Sequence, residues 1–160
     1  MAKSALTKGD VVDGFLVGDL VHNGGMARLW SVSRQDIPFP LLMKVPRIGA
    51  GDDPAAIVSF EMEQMILPKL SGPHVPRFVA NGDFAAQPYI VMERIAGNSL
   101  YPWLEALPRT EDEIFTLGAK IADALDSLHG QNVVHLDLKP SNIVFRETGE
   151  AVLIDYGLAS

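Results

Sequence analysis

Short apolar runs separated by turn residues make up the first half of the chain, a pattern that predicts strands. Apolar residues at 15–21 and again at 29–33 flank Asn23-Gly24-Gly25, which predicts a hairpin around a glycine-rich turn. A third run, at 40–46, is apolar except for Lys44. Two further strands are expected at 78–84 and 89–92.

One helix is expected among these strands. Asp53 followed by Pro54 is typical of a helix start, because the carboxylate caps free amides and proline fits the first turn. The helix is expected to run towards Leu70, with Pro68 kinking or ending it. Its expected buried positions are Ile57, Phe60 and Leu67.

The second half is predicted to be mainly helical. A short helix is expected around residues 99–104, and Thr110 with Glu113 forms a capping box at the start of a longer one. Gly130 is expected to end that longer helix. Its apolar residues at helical spacing are Ile114, Leu117, Ile121, Leu125 and Leu128. Two short strands are then expected at 143–145 and 151–154, joined by a turn at 147–150.

Composition excludes several classes of protein. The 160 residues contain no cysteine, which excludes a disulfide scaffold and a cysteine-ligated metal site. The hydrophobic share of 48% argues against an intrinsically disordered chain. The formal net charge of −7 argues against a nucleic-acid partner. Residues 1–92 carry a net −1 and residues 93–160 a net −6. This acidity fits either a solvated face or a preference for basic partners.

No apolar stretch has the length of a signal peptide core or of a membrane span. We therefore expect a cytoplasmic location and no membrane segment in this chain.

Two neighbouring polar segments carry the candidate chemistry. Asp137, Lys139 and Asn142 lie in a predicted loop after the long helix. Asp155-Tyr156-Gly157 begins 13 residues after Asn142, directly behind an apolar strand. Hard oxygen ligands beside a further carboxylate suit magnesium and phosphate chemistry.

These segments resemble motifs of the eukaryotic-type (Hanks-type) Ser/Thr protein kinases, in a bacterial-like form. The catalytic-loop motif HRDLxxxN is present with Leu136 in place of arginine, and the DFG motif is present as Asp155-Tyr156-Gly157. Lys139-Pro140 resembles Ser/Thr kinases rather than tyrosine kinases. The other motifs follow in the family's order along residues 15–160. Each residue taken alone could have a purely structural role, but the shared order favours the kinase resemblance.

The resemblance implies an α+β, protein-kinase-like fold. It implies a five-stranded antiparallel small lobe with a C helix, followed by the first part of a mainly helical large lobe. The implied boundaries are 1–92 for the small lobe, 93–97 for the hinge and 98–160 for the incomplete large lobe.

Lys44 and Glu63 are the implied nucleotide-positioning pair. Leu42-Met43-Lys44 resembles the VAIK strand, so Lys44 would hold the α- and β-phosphates of ATP. Glu63 would pair with Lys44, and Glu61 is the competing candidate. Glu63 is preferred because Phe60, Glu63, Leu67 and Leu70 match the family's helix pattern.

The remaining nucleotide contacts are implied by the turn and the hinge. Met92 would be the gatekeeper, and the backbone of Glu93 and Ile95 would meet the adenine edge. The glycine-rich turn matches the family's GxGxxGxV with His22 and Ala27 at the first and third glycine positions. Its implied nucleotide-binding residues are Asn23, Gly24, Gly25, Met26 and Leu29.

The implied activity is transfer of the γ-phosphoryl group of ATP to a serine or threonine of a protein substrate. Asp137 would accept the hydroxyl proton or orient the hydroxyl, and Lys139 would stabilise the transferring charge. Asn142 and Asp155 would hold Mg²⁺. Leu136 cannot bind an activation-loop phosphate, so we expect activity to depend little on phosphorylation there. His135 is expected to be structural.

The family's activation segment would follow Gly157, so we expect this chain to be part of a longer kinase and inactive alone. The apolar face of the helix at 110–129 would then lack cover, which favours self-association. One alternative is a nucleotide-binding pseudokinase or scaffold without turnover, which the altered glycine turn favours. A small-molecule kinase is a third hypothesis, and Lys139-Pro140 disfavours it.

Overall fold

The computed structural model describes residues 5–106 and 108–160. These residues form two compact units. One contains the chain up to Phe60 together with Phe78–Arg94, and the other contains Glu61–Arg77 and Ile95–Ser160. The lobe and hinge boundaries expected from the sequence stay a prediction.

The first unit is built on an antiparallel sheet of six strands, which contains the five expected ones. The order across the sheet is β1-β2-β3-β4-β6-β5. The strands are β1 (Val11–Val12), β2 (Phe15–Asn23), β3 (Ala27–Ser33), β4 (Leu41–Pro46), β5 (Phe78–Gly82) and β6 (Tyr89–Glu93). The sequence did not predict β1, because two residues are too few to show alternation. Asp13 and Gly14, with φ of 49° and 85°, turn the chain between β1 and β2.

The core of this unit lies on one face of the sheet, because side chains alternate between faces along each strand. Trp30 on β3 pairs with Met43 on β4, and Met43 pairs with Val91 on β6, so the three share a face. The buried cluster on that face contains Phe15, Val17, Trp30, Val32, Leu41, Met43, Tyr89 and Val91. The opposite face therefore carries the residues between them, including Leu29 and Lys44.

Helix α1 (Ala55–Ile66) begins where the sequence predicts. The Asp53 carboxylate accepts a hydrogen bond from the Ala55 amide at 2.9 Å. The helix gives way to a 3-10 turn at Leu67–Lys69, because Pro68 cannot continue the α-helical hydrogen bonds. Phe60 and Leu67 are buried as expected, whereas Ile57 is only half-buried.

The second unit contains helix α2 (Tyr101–Glu105), helix α3 (Glu111–Gly130) and a hairpin of β7 (Ile143–Phe145) and β8 (Ala151–Leu153). The predicted cap of α3 is present, with the Thr110 hydroxyl accepting from the Glu113 amide at 3.1 Å. A hydrogen bond from Arg109 lowers the pKa of the Glu113 carboxyl.

Helix α3 ends at Gly130, as expected, and the left-handed residue of the turn that follows is not this glycine. Asn132 is the residue with positive φ, at 62°, and its amide donates to the His129 carbonyl at 3.0 Å. Asparagine tolerates this conformation better than most residues, so it supplies the turn here.

Much of the apolar surface of α3 is exposed. Leu128 and Ala124 are buried, whereas Ile114 is 51% and Phe115 74% exposed. The self-association expected from such a surface stays a prediction. Within residues 5–106 and 108–160, no helix is both long and apolar enough to cross a membrane.

Candidate active site

The predicted nucleotide-binding side chains of the first unit share the face of the sheet opposite its core. Leu29 pairs with Lys44 across β3 and β4, and directly opposed residues of an antiparallel pair point to the same side. Leu42, two residues before Lys44, pairs with Met92. Leu29, Lys44 and Met92 therefore lie on one face.

The glycine-rich turn joins β2 to β3 on the same hairpin. The Gly24 amide donates to the Ala27 carbonyl at 3.0 Å, which closes the turn. A Cβ on Gly24 would lie 3.1 Å from His22 Nε2, so a side chain there would crowd the turn. A Cβ on Gly25 would meet nothing within 4 Å, so this position faces open space. Asn23 and Met26 are exposed.

The predicted adenine-contacting positions are divided between the two units. Met92 and Glu93 end β6 in the first unit, and the Arg94 amide that follows donates to the Pro40 carbonyl at 2.9 Å. Ile95 begins a segment of the second unit and is half-buried. Their roles towards adenine stay predictions.

Two predicted catalytic residues of the second unit, Asp137 and Lys139, and the predicted metal ligand Asn142 lie in one loop, residues 135–142, which we name the catalytic loop. The Asn142 side-chain amide donates to the Asp137 carbonyl at 3.0 Å and lies 3.4 Å from its carboxylate. Lys139 Nζ is 3.7 Å from the same carboxylate oxygen. Asn142 is buried, whereas the side chains of Asp137 and Lys139 are 29% and 53% exposed. The loop thus holds a solvent-accessible carboxylate between an amide and an ammonium group.

His135 is structural in the way that the sequence predicts. Its ring is buried, with Nε2 2.7 Å from the Ile154 carbonyl. Nδ1 accepts a hydrogen bond from the Asp137 amide at 3.2 Å. Because Nδ1 acts as an acceptor, the proton of the neutral ring belongs on Nε2, which donates to Ile154. His135 therefore connects the backbone of Asp137 to the strand that leads to Asp155.

The Asp155-Tyr156-Gly157 segment is tied to helix α1 through Glu63. The Tyr156 amide donates to the Glu63 carboxylate at 2.5 Å, and both residues are buried. The competing candidate, Glu61, is exposed. The pairing of Glu63 with Lys44 stays a prediction.

The Tyr156 side chain packs inside the second unit. Its hydroxyl donates to the Leu153 carbonyl at 2.8 Å, and its ring lies 5.2 Å from the His135 ring. Burial, and then the charge of Glu63, raises the pKa of this hydroxyl. The sequence did not identify the hydroxyl as a contact, because tyrosine in this motif differs from the expected phenylalanine only by the oxygen.

Leu136 and Asp155 both adopt the left-handed backbone conformation, each with φ of 64°. This region is unfavourable for residues other than glycine, asparagine and aspartate, so Leu136 is the strained residue of the two, and such strain concentrates at functional sites. Leu136 is 64% exposed. Leu136 directly precedes Asp137, and Asp155 directly precedes Tyr156, so each left-handed residue turns the chain at the candidate site.

Asn142 and Asp155 have the chemistry that a magnesium ion requires. Both offer oxygen donors, and the Ile154 amide donates to the Asn142 carbonyl at 3.0 Å, which anchors the residue before Asp155. No group of three His, Cys, Asp or Glu side chains suited to a metal occurs among the described residues. An ion with few protein ligands and several water or phosphate oxygens is typical of magnesium.

Arg47 is a residue of this region that the sequence did not single out. It lies directly after β4 and contacts the glycine-rich turn through its backbone and its guanidinium group. No local pattern could have predicted this, because the contacted residues lie more than 20 positions earlier in the chain.

Comparison with known proteins identifies a family and relatives. The family described as "Protein kinase domain" matches residues 46–160. A probable serine/threonine-protein kinase PknB of Lactococcus lactis is 30% identical over 87% of this chain and 22% of its own length. A probable serine/threonine-protein kinase of Dictyostelium discoideum is 33% identical over 91% of this chain and 32% of its own length. The chain thus spans a third or less of these relatives.

Solved structures extend the likeness to the fold. The crystal structure of the Mycobacterium tuberculosis PknI kinase domain matches 98% of this chain and 63% of its own, with a TM-score of 0.75 and 25% identity. The match confirms the kinase-like fold that the sequence predicts, with an antiparallel sheet followed by the first part of a helical region.

Proposed function

Because this chain belongs to the protein kinase family, we propose that it forms part of a serine/threonine kinase that uses ATP and magnesium. The observation that carries this proposal is the catalytic loop, in which Asn142 and Lys139 both approach the Asp137 carboxylate. A cytoplasmic location and a protein substrate with a serine or threonine acceptor belong to the same proposal.

Asp137 acts on the substrate hydroxyl in this proposal. As the hydroxyl oxygen forms its bond to the γ-phosphorus, the bond from that phosphorus to the bridging oxygen of ADP breaks, and Asp137 accepts the hydroxyl proton. Two contacts support this role, because they fix both backbone groups of Asp137. The Asp137 amide donates to the His135 ring, and the Asn142 side-chain amide donates to the Asp137 carbonyl. Lys139 offsets negative charge on the transferring group.

Lys44 and the glycine-rich turn hold the nucleotide. Lys44, on the same sheet face as Leu29 and Met92, binds the α- and β-phosphates, and the two apolar side chains contact the base. Asn142 and Asp155 hold Mg²⁺, which when bound neutralises charge on the phosphate oxygens. Glu63 keeps the Asp155 segment in place by accepting from the Tyr156 amide.

A second candidate function is nucleotide binding without turnover. His22 and Ala27 favour it, because each adds a Cβ to a turn that must approach phosphates closely. The set of Asp137, Asn142 and Asp155 favours the enzyme, because a module that only binds nucleotide does not need a proton acceptor.

A transfer assay on the full-length natural protein tests the proposal. With γ-labelled ATP we expect magnesium-dependent label in phosphoserine or phosphothreonine of a protein acceptor. Nucleotide-induced thermal stabilisation, measured with and without magnesium, is the companion readout. Stabilisation by nucleotide without any transfer would favour the binding module. The absence of both stabilisation and transfer would refute both candidates.

A further inference from the structure

Arg47 makes three hydrogen bonds to the glycine-rich turn. Its backbone amide donates to the Met26 carbonyl at 2.9 Å. Its Nη1 donates to the side-chain oxygen of Asn23 and to the Gly24 carbonyl, each at 2.9 Å. The turn is therefore held from the end of β4, in addition to the hydrogen bonds within its own hairpin.

The same guanidinium group is itself held by the loop that leads into α1. Arg47 Nε lies 3.6 Å from the Asp52 carboxylate, with the two side chains only 26% and 31% exposed. Asp52 is fixed in turn by its amide, which donates to the Gly49 carbonyl at 3.1 Å. Arg47 thus joins the glycine-rich turn to the start of the helix that carries Glu63.

These contacts set the direction in which the turn presents its amides. In a trans peptide the C=O and the following N–H point to opposite sides. Since the Gly24 carbonyl points to Arg47, the Gly25 N–H points away from Arg47. Gly25 also borders open space, because a Cβ there would meet no atom within 4 Å. An outward backbone amide at an open glycine can donate a hydrogen bond to a phosphate oxygen.

The turn needs such support because its own sequence departs from a glycine-rich loop. His22 and Ala27 occupy two of the family's glycine positions, and His22 Nε2 lies beside the position of a Gly24 Cβ. We propose that Arg47 is a positioning residue that holds this turn in its phosphate-binding conformation. The inference rests on the proposed ATP-binding function.

Two of the three guanidinium nitrogens of Arg47 already face protein acceptors. Its Nη1 is shared between two acceptors of the turn, and its Nε faces Asp52. A lysine at this position would keep the positive charge but could not contact the turn and Asp52 together, because it lacks the guanidinium fork. Arg47→Lys therefore separates positioning from simple attraction between charges.

Affinities of the full-length protein for a non-hydrolysable MgATP analogue and for adenosine test the inference. For Arg47→Lys and Arg47→Met we expect about fivefold weaker binding of the analogue, since hydrogen bonds that order the turn are lost. Adenosine affinity is expected to stay within about twofold, because adenosine has no phosphate. Arg34→Lys is the matched control: Arg34 pairs with Asp36 directly after β3, away from the turn, and its substitution should change neither affinity.

Asn23→Ala is a second variant that keeps Arg47 and removes one acceptor. We expect it to weaken the analogue about twofold and to leave adenosine unchanged. Equal losses for analogue and adenosine would assign Arg47 a general structural role and overturn the inference, as would wild-type affinity in Arg47→Lys. If the unsubstituted protein binds adenosine but not the analogue, the inference fails. If it binds neither ligand, the proposed function fails as well.

Discussion

The glycine-rich turn of the first unit, residues 22–29, and the catalytic loop of the second, residues 135–142, are held by contacts of different kinds. Exposed or half-buried side chains hold the turn, mainly those of Arg47, Asn23 and Asp52. Buried groups hold the loop, with His135 and Asn142 hydrogen-bonded to backbone on both sides of Asp137.

This difference predicts which substitutions the glycine-rich turn and the catalytic loop tolerate. A buried polar group that loses its partner costs the full desolvation of that group, whereas an exposed one regains hydrogen bonds to water. Changes in the loop should therefore reduce both stability and activity. Changes in the turn should alter ligand affinity with little effect on stability.

Asn142→Ala should have the largest effect among changes that leave Asp137 in place. It removes the amide that orients Asp137 and, in the proposal, an oxygen ligand of magnesium. We expect phosphoryl transfer by the full-length protein to fall on the order of 100-fold, the range seen when one electrostatic contact to the reacting groups is lost. Steady-state transfer of labelled phosphate measures it. Asn98→Ala, an exposed residue of the same unit, is the control, and equal activity in both variants would contradict the assignment.

His135→Phe should destabilise the second unit. The substitution leaves the Ile154 carbonyl and the Asp137 amide without their partner in a buried position. We expect the free energy of unfolding to fall by about 2 kcal/mol. Urea denaturation followed by circular dichroism gives this value. His129→Phe, on the exposed end of α3, should change stability by less than about 0.5 kcal/mol. A similar change in both variants would show that His135 does not connect the loop to the strand before Asp155.

Tyr156→Phe should have an intermediate effect of about 1 kcal/mol, because it removes only the hydrogen bond to the Leu153 carbonyl. Urea unfolding measures this loss, and Tyr101→Phe, half-exposed on α2, is the control. A loss no larger than that of the control would show that the buried hydroxyl contributes nothing.

The same tyrosine predicts a pH dependence. Burial raises the pKa of the Tyr156 hydroxyl above its ordinary value of about 10, so the folded protein holds this proton more tightly than the unfolded chain. The resulting stability is complete below about pH 10 and is lost as pH rises above it. Unfolding free energies measured from pH 8 to 11 should therefore decline less steeply in Tyr156→Phe. An identical decline in both proteins would contradict the assignment.

The smallest effects are expected in the turn, and two neighbouring glycines provide a matched pair. A Cβ on Gly24 would crowd His22 Nε2 at 3.1 Å and the Ala27 carbonyl at 3.2 Å, whereas one on Gly25 would meet nothing. We expect Gly24→Ala to lower the free energy of unfolding by about 0.5 to 1 kcal/mol. Gly25→Ala should be neutral or slightly stabilising, since alanine restricts the unfolded chain. The reverse order of stability would contradict the turn geometry.

Local patterns in the sequence predicted the elements whose causes are local. The caps at Asp53 and Thr110 and the hairpin around Asn23-Gly24-Gly25 follow from neighbouring residues, and all three are present. The two-residue strand β1 and the left-handed Asn132 were missed. The first is too short to alternate, and Gly130, two positions before Asn132, was the residue expected to end the helix.

The sequence motifs nominate the residues of the candidate site but do not predict the contacts between them. Spacing placed Asp137, Lys139 and Asn142 in one loop, and the structure adds that Asn142 donates to Asp137. The contacts of Arg47 with the turn and of Glu63 with the Tyr156 amide join residues that are distant in sequence. Such pairs depend on how strands and helices pack, which no short motif encodes.

The most direct test of the account is transfer of labelled phosphate by the full-length protein carrying Asp137→Ala, measured together with its affinity for a MgATP analogue. Loss of the proton acceptor should reduce transfer by at least about 100-fold. Nucleotide affinity should stay within about twofold, because Asp137 acts on the hydroxyl of the acceptor. Asp126→Ala, an exposed aspartate on α3, should leave both unchanged. Transfer at the unsubstituted rate by Asp137→Ala would contradict the account.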